Sequence, residues 1–253
     1  MPFSRVAKLF SSPPPDAPRV PAGRRVYAVG DIHGRLDLLE QLLGLIEQDD
    51  AARGEADTLL IFLGDLVDRG PNSRGVVERL LRLSRERGGV EFVMGNHDQV
   101  FLEAASGSAG ATRYMVRIGG RPTIASYGIT EREYAEADFD QLTRMLAARV
   151  PREHLDFLAS FKPSVELGDY VFVHAGVRPG VPLGEQDAQD LCWIRDEFLH
   201  HRSSFEKMVV HGHSISEAVE MRPNRIGIDT GAYATGKLTA LGLESDRRWL
   251  LST

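Results

Sequence analysis

Five short motifs in this chain place Asp, His or Asn beside glycine directly after an apolar run. Three lie in the first hundred residues: GDIHG (Gly30 to Gly34), GDLVDRG (Gly64 to Gly70) and GNHD (Gly95 to Asp98). Two lie further on: VHAG (Val173 to Gly176) and VVHGHS (Val209 to Ser214). Carboxylate oxygens and imidazole nitrogens are ligands for first-row divalent metals. The repeated pattern therefore predicts a metal centre.

The candidate ligands are too many for a single ion. They suit two divalent ions that share one carboxylate and lie about 3.5–4 Å apart. Because the set contains nitrogen and oxygen but no thiolate, it favours manganese, iron or zinc over calcium, and manganese is our first expectation. The six predicted metal ligands are Asp31, His33, Asp65, Asn96, His174 and His213.

Each motif alone has an ordinary explanation. An Asp-X-His sequence after a strand is often a turn or a core histidine, and the histidines at 211 and 213 could belong to a solvated loop. In GNHD, Asn96 or Asp98 would cap a helix well. The coincidence of all five motifs at the ends of apolar runs favours the metal centre.

The apolar runs alternate with segments of helical spacing. Strands are predicted in RRVYAVGD, DTLLIFLGD and Val90 to Met94, and helices in LDLLEQLLGLIEQ and NSRGVVERLLRLSRER. This alternation predicts βαβ units and a parallel sheet. The carboxyl ends of its strands would bring the polar motifs to one edge, where α/β proteins bind their ligands.

The remaining segments are less regular. Residues 106–150 are predicted to be an insertion or cap, with a weak helical pattern at Phe139 to Arg149. A helix in PREHLDFLASF and a hairpin in SVELGDYVFVHAG, with its turn at Gly168-Asp169, follow it, and then further short strands. Prolines in residues 1–24 predict a flexible tail, which leaves residues 25–253 as one domain.

Composition excludes several classes of protein. The formal net charge is −6, so no long-range field attracts nucleic acid or an anionic membrane, and neither is an expected partner. No segment reaches the roughly 20 apolar residues of a membrane helix. A single cysteine, Cys192, rules out a disulfide within the chain, and a cytoplasmic location is expected.

In their order and content, the five motifs resemble the phosphoprotein phosphatase family of calcineurin-like binuclear metallophosphoesterases. The resemblance runs from about Val26 to the last strand. The segments LCWIRDEF (Leu191 to Phe198) and RIGIDTGAYATGKLTAL (Arg225 to Leu241) are similar to the bacterial branch. The resemblance implies an α/β fold, with a central β-sandwich of mixed sheets flanked by helices.

The resemblance also implies a role for each ligand. Asp31 and His33 would hold the first metal, and Asp65 would bridge the two. Asn96 would complete the second site, together with His174 and His213. His211 lies outside this set, and its side chain would point to the opposite side of the strand or support the ligands.

Catalysis would proceed by in-line attack on phosphorus, by water that the two metals activate. Arg69 and Arg195 would bind the phosphate oxygens, because a guanidinium fork matches them bidentately, and Asn96 would contact the phosphate as well. His97 would be the general acid that protonates the leaving group, and Asp68 would orient its imidazole. Asp98 is expected to cap a helix or to support the metal ligands rather than to take part in catalysis.

Three functions remain open. The favoured one is a phosphomonoesterase that acts on phosphoprotein or phosphopeptide at serine, threonine or tyrosine, or on a small phosphoester. The alternative is a bis(5'-nucleosyl)-tetraphosphatase, which would need a base-stacking aromatic residue and further cations that the sequence does not reveal. A non-catalytic scaffold is disfavoured because the ligands, both arginines and the His97–Asp68 pair are all intact.

Overall fold

The first sheet carries the N-terminal motifs. The computed structural model describes residues 17–253. Strands β1 (Arg24–Val29), β2 (Asp57–Phe62) and β3 (Val90–Phe92) are parallel, and the C-terminal strands β9 (Thr239–Glu244) and β10 (Arg247–Ser252) add to β1 in antiparallel fashion. The strand order is β10-β9-β1-β2-β3.

The second sheet carries the two C-terminal histidine motifs. It contains β4 (Ser164–Leu167), β5 (Tyr170–Val173), β6 (Met208–His211), β7 (Glu220–Met221) and β8 (Arg225–Gly227) in the order β4-β5-β6-β8-β7. Its three central strands are parallel and its two edge strands are antiparallel. Both sheets are therefore mixed.

The two sheets pack face to face. Val26 and Ala28 of β1 share a core with Phe172 and Ile226 of the second sheet. Residues between them on β1, such as Tyr27, belong instead to the core under the helices. This period-2 division is what a strand buried on both faces requires. The predicted α/β sandwich of mixed sheets is confirmed.

Helices cover the outer faces. Helix α1 (Leu36–Ala52) follows β1, and α2 (Ser73–Glu86) follows β2 with Asn72 as its N-cap, which accepts a hydrogen bond from the N–H of Gly75. Helix α3 (Asn96–Ala105) begins at the third motif. The helical crossovers therefore bring the carboxyl ends of β1, β2 and β3 to the same edge of the first sheet.

Residues 106–150 contain more helix than their sequence indicated. The weak pattern at Phe139–Arg149 is confirmed as a helix, but three more precede it. Side-chain caps start three of these four helices and compensate for their short, irregular apolar pattern. The helices after α3 are α4 (Ala109–Arg117), α5 (Arg121–Ser126), α6 (Glu131–Glu136), α7 (Phe139–Arg149) and α8 (Arg152–Ala159).

Short helices lie near the C-terminal motifs. They are a 3-10 turn (Leu183–Glu185), α9 (Ala188–Trp193), α10 (Asp196–Leu199) and α11 (Ala232–Thr235). Within residues 17–253, no helix has the length and apolar character needed to cross a membrane.

The end of the predicted tail is packed against both sheets. The first sixteen residues of that tail lie outside the described residues. Val20 is buried, and its N–H donates to the carbonyl of Ser245 at 3.0 Å. The N–H of Asp169, in the β4–β5 turn, donates to the carbonyl of Arg19 at 2.9 Å. Ordered packing therefore begins before residue 25.

Candidate metal centre

Five strands from two sheets end at the candidate site. The loops after β1, β2 and β3 come from the first sheet, and those after β5 and β6 come from the second. Together they bring the predicted ligands into one buried region: Asp31, His33, Asp65, Asn96, His174 and His213.

Three ligand atoms converge at one point. The Nε2 atom of His174 lies 2.9 Å from Oδ1 of Asn96 and 3.2 Å from Nδ1 of His213. Nδ1 of His213 is in turn 2.9 Å from the same Asn96 oxygen. Each of these atoms carries a lone pair when its side chain is neutral.

Hydrogen bonds to backbone carbonyls orient two of the imidazoles. Nδ1 of His174 donates to the carbonyl of Leu63 at 2.7 Å, and Nδ1 of His33 donates to the carbonyl of Val67 at 2.7 Å. This tautomer places the lone pair of each ring on Nε2, the arrangement that is usual for ligating histidines.

The Asp65 carboxylate lies between the two imidazoles. Its Oδ2 atom is 3.4 Å from Nε2 of His174 and 3.6 Å from Nε2 of His33. Its Oδ1 atom accepts the backbone N–H of His97 at 2.9 Å, which holds the carboxylate in place. A single oxygen facing a ligand nitrogen on either side is the geometry that a shared carboxylate needs.

The electrostatics of the site favour a bound cation. Burial lowers the pKa of His174, but the charges of Asp65 and Asp31 outweigh it and raise that pKa to about 10. Burial raises the pKa of Asp65, yet the neighbouring histidines hold it well below its usual range. Burial lowers the pKa of His33 to about 3, so this imidazole is neutral.

The donor set fits divalent metals. Two groups, each with its ligand atoms within 4.8 Å of one another, are present in the described residues: His33, Asp65 and His97, and Asp65, His174 and His213. Asp65 is common to both. Nitrogen and oxygen donors of this kind, buried and facing one another, are stabilised by a divalent cation.

Asp31 lies beside the two groups of clustered ligand atoms. Its carboxylate is buried and accepts the backbone N–H of His213, at 3.0 Å to Oδ2. Asp31 belongs to neither group of clustered ligand atoms, whereas His97 belongs to the first. Burial and the charge of Asp229 raise the pKa of Asp31 well above its usual range.

His97 and Asp68 form a buried pair beside the cluster. Nδ1 of His97 lies 2.7 Å from Oδ2 of Asp68. The Arg69 guanidinium donates to Nε2 of His97 at 2.9 Å and to Nε2 of His33 at 3.0 Å. The structure therefore brings together the predicted general acid, its partner and one of the two predicted phosphate-binding arginines.

The second arginine lies at the opening of the site. Arg195 is exposed. Burial lowers the pKa of His213, and the charges of His174 and Arg195 add to this effect, so that the pKa falls to about 2. Tyr233 lies near the first arginine, with its ring 5.3 Å from that of His33 and 4.9 Å from the Arg69 guanidinium. The site is thus buried beneath a rim of two cations and one aromatic ring.

The backbone of the site is strained. Within the described residues, six residues other than glycine have positive φ, and five of them belong to this site. The N–H groups of His33, Asp68, Arg69 and His213 donate hydrogen bonds, as in His33, which donates to the carbonyl of Asp65 at 2.8 Å. A left-handed backbone costs such residues about 1–3 kcal/mol and is concentrated at functional sites. The five are His33 (46°), Asp65 (50°), Asp68 (70°), Arg69 (67°) and His213 (61°).

We expect Gly95→Ala to disturb the shared carboxylate. A methyl group at Gly95 would overlap the backbone nitrogen and Oδ1 of Asp65. Metal content after gel filtration should therefore fall, with a matching loss of activity. Gly44→Ala in α1 is the matched control because a methyl group there meets nothing within 4 Å. Equal metal content in the two variants would contradict the expectation.

Sequence reasoning missed two buried residues of the site. Asp229 follows β8 and accepts the N–H of Gly231 at 2.9 Å, and its position after a strand was a signal like that of the other motifs. Thr123 of α5 bonds to Asp68 at 2.8 Å, and nothing in its local sequence indicated this. His211 lies outside the cluster. Its ring packs edge-on against the ring of Phe198, with the two ring centroids 5.0 Å apart.

Comparisons with known proteins agree with this geometry. The calcineurin-like phosphoesterase family matches residues 24–241. The symmetrical bis(5'-nucleosyl)-tetraphosphatase of Nitrosospira multiformis is 32% identical over 88% of this chain and 94% of its own. Serine/threonine-protein phosphatase 2 of Salmonella typhimurium is 27% identical over 85% of this chain and 91% of its own.

Among solved structures, a putative diadenosine tetraphosphatase has the same fold. It superposes with a TM-score of 0.63 at 22% identity and covers 95% of each chain. The family match includes every predicted ligand and all strands from β1 to β8. This chain therefore belongs to the calcineurin-like phosphoesterase family, whose members are metal-dependent phosphoester hydrolases.

Proposed function

We propose that this enzyme hydrolyses phosphate monoesters of alcohols, with phosphoserine and phosphothreonine in proteins as its principal substrates. The observation that carries the proposal is the buried His97–Asp68 pair at 2.7 Å beside the metal-ligand cluster. A serine or threonine alkoxide is a poor leaving group and needs a proton as it departs. A phosphate or nucleotide leaving group needs that proton far less.

The metal ligands are assigned from the clustered atoms. One ion would be held by Asn96, His174 and His213, and the other by His33 and Asp31, with Asp65 shared. Two divalent ions, which we propose to be manganese, would supply Lewis-acid stabilisation and activate water for attack. Asp31 is assigned to this ion because its buried carboxylate lies against the backbone of the ligand His213.

The arginines would bind the phosphoryl group. In the structure, Arg69 donates to the Nε2 atoms of His33 and His97. A metal ion on His33 would compete for that nitrogen and leave the guanidinium free to turn toward phosphate oxygens. Arg195 is exposed at the rim, where it can meet the same oxygens as substrate enters. Asn96 would contact the phosphate from the metal side.

His97 would donate the proton to the leaving group. Its Nδ1 atom is held by Asp68, so its Nε2 atom faces the arginine and the ligand cluster. The Asp68 carboxylate orients the ring. General acid catalysis by a positioned histidine contributes about 10²–10⁴-fold.

A groove beside the site favours a second candidate, hydrolysis of dinucleoside tetraphosphates. It has a volume of about 360 Å³ and lies between α3, α4 and α9. Tyr114 and Trp193 line it with ring centroids 6.0 Å apart, and the Arg117 guanidinium lies 5.1 Å from the Tyr114 ring. These residues supply the aromatic surface and cation that nucleobase binding needs. The Nitrosospira relative carries the name of that activity.

One side-by-side assay separates the two functions. The manganese-loaded enzyme is given phosphoserine, phosphothreonine and phosphotyrosine peptides and diadenosine tetraphosphate, each with and without a chelator. We expect chelator-sensitive phosphate release that is fastest from the serine and threonine peptides. Cleavage of the dinucleotide alone would establish the second candidate, and inactivity on all four would contradict both.

Two substitutions in the groove sharpen this test. Trp193→Ala and Tyr114→Ala remove the aromatic surface, and stacking of one base is worth about 1–3 kcal/mol. If the dinucleotide is a substrate bound there, KM for it should rise in both variants while peptide turnover stays constant. A constant KM for the dinucleotide would show that this groove does not bind it.

A further inference from the structure

The helical insertion at 106–150 reaches the catalytic pair through one threonine. Thr123 of α5 and Asp68 are both fully buried. The Thr123 hydroxyl donates to Oδ1 of Asp68 at 2.8 Å, and the backbone N–H of Asp68 donates to the same hydroxyl oxygen at 2.8 Å. One side chain therefore holds Asp68 at both its carboxylate and its backbone.

The hydrogen bonds of this hydroxyl are fully accounted for. A threonine hydroxyl has one proton and two lone pairs. The proton goes to the carboxylate of Asp68, so the Ser73 hydroxyl, 2.8 Å away, must donate to Thr123. Every donor and acceptor site of the Thr123 hydroxyl is thus used, and this fixes its direction.

Asp68 needs this support. Its φ of +70° is a strained conformation for a residue with a side chain. Its other carboxylate oxygen, Oδ2, holds Nδ1 of His97 at 2.7 Å. The contacts therefore run without a gap from the insertion through Thr123 and Asp68 to the imidazole of His97.

The same insertion also holds Arg69. The backbone N–H of Arg69 donates to the carbonyl of Gly119 at 2.9 Å. Arg69 too has a strained backbone, with φ of +67°. Two adjacent residues of the GDLVDRG motif, Asp68 and Arg69, are thus held in strained conformations by the segment between α3 and α7.

We propose that Thr123 is a positioning residue for the general acid. Through Thr123, the helical segment at 106–150 helps to position the catalytic residues. The inference rests on the proposed role of His97 in protonating an alcohol leaving group. Loss of the Thr123 hydroxyl frees Oδ1 of Asp68 and leaves the backbone N–H of Asp68 with only its longer bond to the Ser73 hydroxyl, at 3.1 Å. The imidazole then loses its fixed direction toward the departing oxygen.

The test is Thr123→Val, which removes the hydroxyl at nearly constant volume. On a phosphoserine peptide, kcat should fall about 10- to 100-fold, since misplacement of a catalytic group by about 1 Å can cost 10²-fold. On p-nitrophenyl phosphate, whose leaving group needs little protonation, the loss should be under about threefold. Thr123→Ser, which keeps the hydroxyl, should recover most of the peptide activity.

Thr143→Val is the matched control in the same insertion. The Thr143 hydroxyl is also buried, and it donates to Thr112 at 2.8 Å, away from Asp68. This variant loses a buried hydrogen bond but should retain the wild-type ratio of peptide to nitrophenyl activity. If Thr143→Val changes that ratio as Thr123→Val does, the effect is structural and the proposal is wrong.

A double variant tests whether Thr123 acts through His97. In a His97→Ala background, Thr123→Val should cause little additional loss on the peptide, because the group it positions is absent. A full further loss would overturn the proposal. Wild-type enzyme that cleaves nitrophenyl phosphate but no alkyl ester would instead contradict the proposed function, before Thr123 is tested.

Discussion

Asp65→Asn is expected to lower metal occupancy at both sites and to abolish most activity. One oxygen of this carboxylate lies 3.4 Å from the ligand nitrogen of His174 and 3.6 Å from that of His33. The amide keeps the shape but removes the charge that both ions would share. Metal catalysis supplies several kcal/mol of transition-state stabilisation, so kcat/KM should fall at least about 10³-fold. Elemental analysis and turnover should decline together.

Asp98→Asn is the matched control for this experiment. Asp98 is also fully buried nearby, and its Oδ1 atom accepts the N–H of Leu66 at 2.9 Å. Burial and the charge of Asp65 raise the pKa of Asp98 to about 7, so an amide resembles its protonated form. We expect this variant to keep both metals. Two tightly bound metals in Asp65→Asn would rule out the shared role of Asp65.

His97→Ala is expected to separate chemistry from metal binding. Turnover of a phosphoserine peptide should fall about 10²–10⁴-fold because the alkoxide then leaves without a positioned acid. Hydrolysis of p-nitrophenyl phosphate should fall far less. The rates on the two substrates, measured with metal content on the same preparation, check this prediction.

The metal measurement also decides between two roles for His97. One of its ring nitrogens lies in one group with a ring nitrogen of His33 and a carboxylate oxygen of Asp65, so His97 could instead be a metal ligand. Loss of one ion in His97→Ala, with equal losses on both substrates, would make His97 a ligand. Wild-type turnover of the peptide would exclude both roles.

The strands and long helices were predictable because their signals are local. Burial on both faces makes β1 and β2 continuous apolar runs, and glycine ends each of them. Helix α1 buries residues at the spacing visible in its sequence. By contrast, α5 and α6 have six residues each, so no periodic pattern marks them. Helix α5 has no side-chain cap and depends on the packing of Thr123 and Ile124, whereas α6 buries no residue and begins at a capping box at Thr130.

The sequence by itself determined the chemistry of this protein. The residue types at five strand ends specified nitrogen and oxygen ligands, a histidine beside them and a carboxylate to pair with it. Five of the six predicted ligands are hydrogen-bonded or close to one another, and the sixth, Asp31, lies against His213. These side chains had to be present in the sequence because no other part of a protein supplies such ligands.

Only the tertiary structure decided how those side chains meet. The alternation of strands and helices predicted one parallel sheet, whereas the ligands come from two sheets that face each other. The contact of Thr123 with Asp68, 55 residues apart, is equally absent from any local pattern. Sequence periodicity reports which face of an element is buried. What lies against that face is set by packing between distant segments, and the carboxylate that pairs with His97 is bonded through such a contact.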